Sequence, residues 1–169
     1  MTIKAGVGMS RHHNPNVAGR EAAEQALEKA GTYKPDFVFM FASIGYDQHS
    51  LVRAVRETTG EASLSGCSVE GTIDGNEADE SSFSVLVTAV SSEELRWTNG
   101  LATGLSADSR AVGKRVAEDL LPQLSADTIG LFIFPDGLTY DIDDFFAGLE
   151  GDLSSERFLP IWGGEPATT

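Results

Sequence analysis

Cysteine is almost absent from this chain, and its single copy, Cys67, forms no internal disulfide and excludes a disulfide-built secreted scaffold. Histidine is scarce too, with only His12, His13 and His49 to offer an imidazole. Basic residues are few: 12 lysines and arginines against 26 aspartates and glutamates leave a net charge of -14 and a pI near 4.4. That balance argues against nucleic acid or an anionic membrane as partner, because both need basic patches. It selects no ligand, since acidic surface serves solubility in most proteins. Long apolar runs are missing; the longest, Phe37 to Ala42, is far too short to span a bilayer. The start, Met-Thr-Ile-Lys-Ala-Gly, lacks the apolar core of a signal peptide. A soluble protein of the reducing cytoplasm is expected. The 169 residues fit one domain able to bury a core without staples.

What is present alternates strand and helix patterns. Ile3–Met9 reads as a first strand whose Gly6 and Gly8 imply close backbone packing. A polar loop, residues 10–16, leads to a helix capped by Asn14 or Asn16; its Ala18, Ala22, Ala23, Ala26, Leu27 and Ala30 share one face until Gly31 stops it. Phe37–Ala42 predicts a central strand covered on both faces. Asp47 then caps a helix with Leu51, Val52 and Val55 inward. Residues 62–65 predict a brief buried strand, followed by the glycine-rich loop that holds Cys67 and then an acidic excursion over 75–82. Phe83–Val90 and Leu95–Leu101 read as an antiparallel hairpin. A helix begins at Ser106 or Asp108 with Val112, Val116, Ala117, Leu120 and Leu121 inward and Pro122 distorting its last turn. Thr128–Phe134 predicts another buried strand, and Asp141 starts a short helix that buries Ile142, Phe145, Phe146 and Leu149. The expected fold class is α/β: a mixed, mostly parallel sheet, helices on both faces, and an antiparallel hairpin.

In such folds ligands bind beyond the carboxyl ends of the parallel strands. Four loops of that kind stand out: Ser10–His13, Ser43–Asp47, Gly66–Ser68 and Pro135–Gly137. If their strands run parallel, these loops share one edge. They supply the candidate ligand-binding residues Ser10, Arg11, Ser43, Tyr46, Asp47, Gly66, Cys67, Ser68, Asp136 and Gly137. The set suits a small zwitterion or polar metabolite, with Arg11 or helix-end amides for a carboxylate and Asp136 or Asp47 for an ammonium. The plainer alternative is that Ser43 and Asp47 only cap and turn.

Cys67 as a nucleophile would need a base such as His12, His13 or His49. The string around it is no nucleophile elbow, because Ser65 and Val69 stand where the glycines belong, and a packed, unreactive thiol is the simpler role. The adjacent His12 and His13 with a distant His49 make a weak metal set, so no metal is expected. Gly6 and Gly8 do not complete a dinucleotide fingerprint, since Arg11 replaces the third glycine; no cofactor is expected.

The order of elements and several strings resemble the N-terminal sensory domain of the FIST family. The strings are Ala18-Gly-Arg-Glu-Ala-Ala23, Pro35-Asp-Phe-Val-Phe-Met-Phe-Ala-Ser43 with Gly45-Tyr-Asp47, Gly66-Cys-Ser68 and Leu159-Pro-Ile-Trp-Gly-Gly164. The resemblance implies a bacterial or archaeal signal-transduction module that senses small ligands, amino acids among them, and is usually followed by a C-terminal domain. It brings no catalytic residue with it. Where the family tends to carry small residues after Gly-Cys-Ser, this chain has Val69 and Glu70. The expected layout is a sensory domain over 1–158 and, over 159–169, the start of a linker or strand toward a C-terminal FIST-type domain absent from this chain. The expected function is non-catalytic sensing of a small-molecule ligand. Alternatives are a cysteine-dependent hydrolase or transferase using Cys67, and an interaction module that docks on the C-terminal domain through the surface around Trp162.

Overall fold

The structure, a computed structural model, describes residues 2–75, 77–136, 140–153 and 159–164, in two units that meet in sequence between Trp97 and Thr98. Asn14 opens α1 (Pro15–Ala30) by accepting from the amides of Asn16 and Val17, and Gly31 closes it in the left-handed conformation at φ 63°. The alanine face of α1 is buried against β1 (Ile3–Ser10). Contact is so close that a Cβ on Gly8 would lie 2.1 Å from the Ala22 carbonyl oxygen, and one on Gly6 2.2 Å from that of Ala26. The expected close packing at both glycines is therefore present.

Four further strands and one helix complete the sequence of the first unit up to its last strand: β2 (Phe37–Ser43), α2 (Gln48–Thr59), β3 (Ser63–Val69), β4 (Thr72–Asp74) and β5 (Glu77–Asp79), then β6 (Val85–Ser92). The main sheet has the order β1-β6-β2-β3. Strand β6 is antiparallel to both β1 and β2, while β2 and β3 are parallel. The sheet is mixed, the fold is α/β, and β1, β2 and β3 all point the same way.

Three expectations need correction. Among the described residues, 95–101 form no strand; β6 finds its antiparallel partners in β1 and β2, and the hairpin of this unit is β4–β5. Helices α1 and α2 do not lie on opposite faces. Both pack on the face of Val38, Met40, Ala42, Val85 and Val87, with Gly19 of α1 set against Leu51 and Val55 of α2. The other face carries Phe37, Phe39 and Phe41, with Trp97 stacked on Phe37 at 4.4 Å and edge-on to Phe39 at 5.7 Å. Finally, β3 runs on through Gly66, Cys67 and Ser68, which are strand and not loop.

The second unit contains α3 (Ser109–Leu120), β7 (Leu131–Ile133), α4 (Ile142–Leu153) and β8 (Ile161–Gly163), with β7 and β8 parallel. Asp108 caps α3 through the Ala111 amide, and Pro122 turns the chain into 3-10 geometry over Leu121–Gln123. Helices α3 and α4 cross through glycines: a Cβ on Gly113 would meet the Phe145 carbonyl oxygen at 2.1 Å, and one on Gly148 that of Arg110 at 2.1 Å. Val112, Ala117, Phe145 and Leu149 form the core there. Leu121 and Ile142, expected inward, are exposed, and β7 is shorter than residues 128–134, with Ile129 and Phe132 facing out.

Candidate functional site at the ends of β1 and β2

The sheet register brings the expected strand ends together and places β6 between them. Ser10, Val85, Ala42 and Ser68 form one row across the four strands; Met9, Leu86, Phe41 and Cys67 form the row before it. Side chains alternate between faces along a strand, so these two rows point to opposite faces. Ser10 lies on the helix side, where its hydroxyl donates to the Glu21 carboxylate at 2.7 Å and accepts from the His12 amide at 3.2 Å. Cys67 belongs to the aromatic side, half-buried, and burial pushes its thiol up from the ordinary range.

Ser43 ends β2 in a buried hydroxyl network. The Ser84 amide donates to Ser43 Oγ at 2.9 Å, and Ser43 Oγ donates to the Ser84 carbonyl at 3.3 Å. The hydroxyls of Ser84 and Thr72 are 2.5 Å apart, and Thr72 Oγ1 donates to Met9 Sδ at 3.3 Å. Gln48 closes the group on the Ser43 carbonyl at 3.1 Å. Tyr46 is buried, and its phenol donates to the His12 carbonyl at 3.1 Å, tying the loop after β2 to the loop after β1. Burial pushes this phenol up to about 12, with the carboxylates of Asp79 and Glu21 adding to the rise. Phe83 sits against both loops, stacked on His13 at 4.5 Å and edge-on to Tyr46 at 5.3 Å.

Arg11 does not stand open for a carboxylate. Its Nε donates to Asp79 and its Nη2 to Glu77 at 3.2 Å, both on β5. Asp79 also accepts from the Ser81 amide at 2.6 Å, and its Ser81 bonds together with Arg11 hold its carboxyl below the usual carboxylate range. Asp47 precedes α2 but makes no cap bond through its side chain; it accepts from Ser50 at 2.5 Å, which holds its carboxyl down as well. Gly66 is required where it stands, since a Cβ would fall 1.8 Å from the Met40 carbonyl oxygen.

Of the expected site residues, Ser10, Arg11 and Tyr46 gather at one edge of the first unit, whereas Ser43 ends β2 at that edge with its hydroxyl on the opposite, aromatic side of the sheet. Cys67 and Ser68 reach that edge on opposite faces of β3, and Asp47 stands exposed at the start of α2. Asp136 lies in the second unit, and Gly137 falls outside the described residues. Sequence reasoning missed Thr72, Phe83, Ser84, Glu77 and Asp79. The strand pattern announced β6, but nothing in it said that β6 would insert between β1 and β2 and bring Phe83 and Ser84 along. A shallow depression elsewhere follows α2 from Gln48 to Gly60, past Val52, Arg53 and Arg56, and does not cross the strand ends.

The family model of the FIST N domain matches residues 36–167, more than half of the chain. The chain belongs to the FIST N domain family. FIST domains are sensory domains of signalling proteins. No curated protein matches this one. Among solved structures, an FtsZ-like protein of unknown function from Nostoc punctiforme is similar at 17% identity, over 53% of the FIST chain and 89% of its own, with a TM-score of 0.26. Among the described residues, no helix of this FIST domain is long and apolar enough to cross a membrane.

Proposed function

We propose that this FIST domain is a non-catalytic sensor of a small polar molecule of the amino-acid class, bound at the edge where β1 and β2 end. The observation that carries the reading is the gathering there of Ser10, Arg11 and Tyr46 from the end of β1 and the loops after β1 and β2, within a family of sensory domains. Converging donors and acceptors beside an aromatic wall of Phe83 and His13 suit a small ligand with charged ends. Binding shifts the population of loop arrangements, and the shift is read by a C-terminal FIST-type domain beyond this chain.

The test is a thermal-shift screen against amino acids, nucleotides and organic acids. A ligand at about 100 times its Kd adds roughly 2.7 kcal/mol, a rise of about 5–10 °C for a chain of this size. A hit should survive Cys67→Ser, and Cys67 should alkylate more slowly than the same thiol in urea. No stabilisation by any compound sinks the sensing reading. A thiol that reacts faster in the folded protein than in urea restores the hydrolase or transferase alternative.

A second reading has one observation behind it. Phe132 and Trp162 are register partners across β7 and β8, their rings 5.5 Å apart, and each is 49% exposed. That aromatic pair is a surface on which a C-terminal FIST-type domain would dock.

A further inference from the structure

The β4–β5 hairpin is tethered mostly by charge. Its first residue, Thr72, is buried and bonded to Ser84 and Met9, but beyond that root the arms are held by ion pairs: Arg11 to Asp79 and Glu77, and Lys29 to Asp74 at 3.4 Å. Ile73 is 73% exposed, and Glu77 and Ala78 are exposed as well. The hairpin therefore adds little to the core. Two of its three carboxylates, those of Asp79 and Glu77, instead occupy two nitrogens of Arg11, a guanidinium in the loop after β1 at the edge of the first unit where Ser10 and Tyr46 also lie. A guanidinium that engages side-chain carboxylates through separate nitrogens presents the same donors to the carboxylate of a ligand.

We propose that Asp79 and Glu77 are a built-in competitor for Arg11. The ligand carries a carboxylate, that carboxylate takes the guanidinium from the hairpin, and release of the hairpin is the first conformational consequence of binding. The proposal rests on the sensing reading above and specifies its ligand chemistry and its moving part. The docked hairpin lowers apparent affinity by the fraction of molecules in which Arg11 is occupied, so freeing Arg11 raises it. The Glu77 pair is exposed and screened, and the guanidinium that also meets the covered Asp79 carboxylate is itself half-exposed, so a ligand carboxylate can reach the same nitrogens, while the Thr72 root keeps the released hairpin attached.

The experiment measures apparent Kd for acetate, succinate, glycine and glutamate, by thermal shift against sodium chloride of equal ionic strength. It compares the unmodified protein, the double variant Glu77→Gln/Asp79→Asn, and Arg11→Gln. Asparagine still accepts from the Ser81 amide, so the turn after β5 is preserved. A carboxylate should bind the double variant about tenfold tighter than the unmodified protein and should not bind Arg11→Gln. In the unmodified protein the same compound should speed hydrogen exchange at the amides of β4 and β5. Equal affinity for the unmodified protein and the double variant, or undiminished binding by Arg11→Gln, overturns the competitor while the sensing reading stands. Binding only by compounds that lack a carboxylate overturns the competitor in the same way. Binding by nothing in the wider screen overturns both.

Discussion

At the scale of single residues, Tyr46 shows what burial does to a polar group. Its phenol is buried, bonded to the His12 carbonyl, and pushed up to about 12. In the unfolded chain it titrates near about 10. The neutral phenol is thus favoured by the folded state, so its contribution to stability is complete below about pH 10 and is lost as pH rises from there through about 12. A difference titration at the phenolate absorbance, unmodified protein minus Tyr46→Phe, should place this group near 12; a midpoint near 10 would show that the ring is solvated. At neutral pH, Tyr46→Phe should cost about 1 kcal/mol for the lost hydrogen bond. Tyr46 stood out in the sequence because it is a tyrosine in a strand-end loop. Its partner did not, since the acceptor is a backbone carbonyl 34 residues away. For Arg11 the loop after β1 was readable and the side-chain partners were not. Which carboxylate reaches it depends on the β4–β5 hairpin, whose short strands look like an acidic loop in the sequence.

At the scale of elements, the glycines of β1 decide how near α1 can come. Gly8 faces backbone: a Cβ there would meet the Ala22 carbonyl oxygen and, at 2.7 Å, the Ala26 amide nitrogen, neither of which can swing aside. Gly31, at the end of α1, has nothing within 4 Å of the same position, and only its φ of 63° opposes a side chain. Gly8→Ala should therefore destabilise by about 3 kcal/mol, at the upper end for overpacking, and Gly31→Ala by about 1 kcal/mol. Denaturant unfolding of the two variants checks this; equal costs would show that α1 can move off the sheet. The closeness of Gly6 and Gly8 was readable, as were the bounds of α1, β2 and α2, because alanine faces, caps and a continuous apolar run are local signals. Pairing is not local. The strand after Ser84 looked like half of a hairpin with 95–101 because the next apolar residues in sequence follow a turn, yet its partners are the two earliest strands. The extent of β3 was hidden by Gly66, which reads as a turn and serves to let Met40 approach.

At the scale of the whole chain, charge sets the behaviour that pairwise contacts do not. The division between Trp97 and Thr98 has no proline- or serine-rich linker to announce it, so composition gave no sign of two units, whereas the acidic excess was plain from the first count. Against a net charge of -14, the described ion pairs are few and most are exposed: Arg11 with Glu77 and with the largely covered Asp79, Lys29 with the half-buried Asp74, Arg110 with Asp144, and Lys114 with Glu118. Exposed pairs of this kind contribute about 0–1 kcal/mol each, and salt weakens them. Salt also screens the repulsion among the surplus carboxylates, which acts over many more pairs, as the Debye length falls from about 30 Å at 0.01 M to about 10 Å at 0.1 M. Repulsion should win, so the melting temperature should rise by roughly 2–4 °C, equivalent to about 1 kcal/mol, between those two concentrations of sodium chloride. Sodium chloride is the proper probe because sulfate would add a general exclusion effect of its own. A fall in melting temperature would mean that the tethers on Arg11 and Lys29 outweigh the acidic surface, and Glu77→Gln should then remove part of the fall.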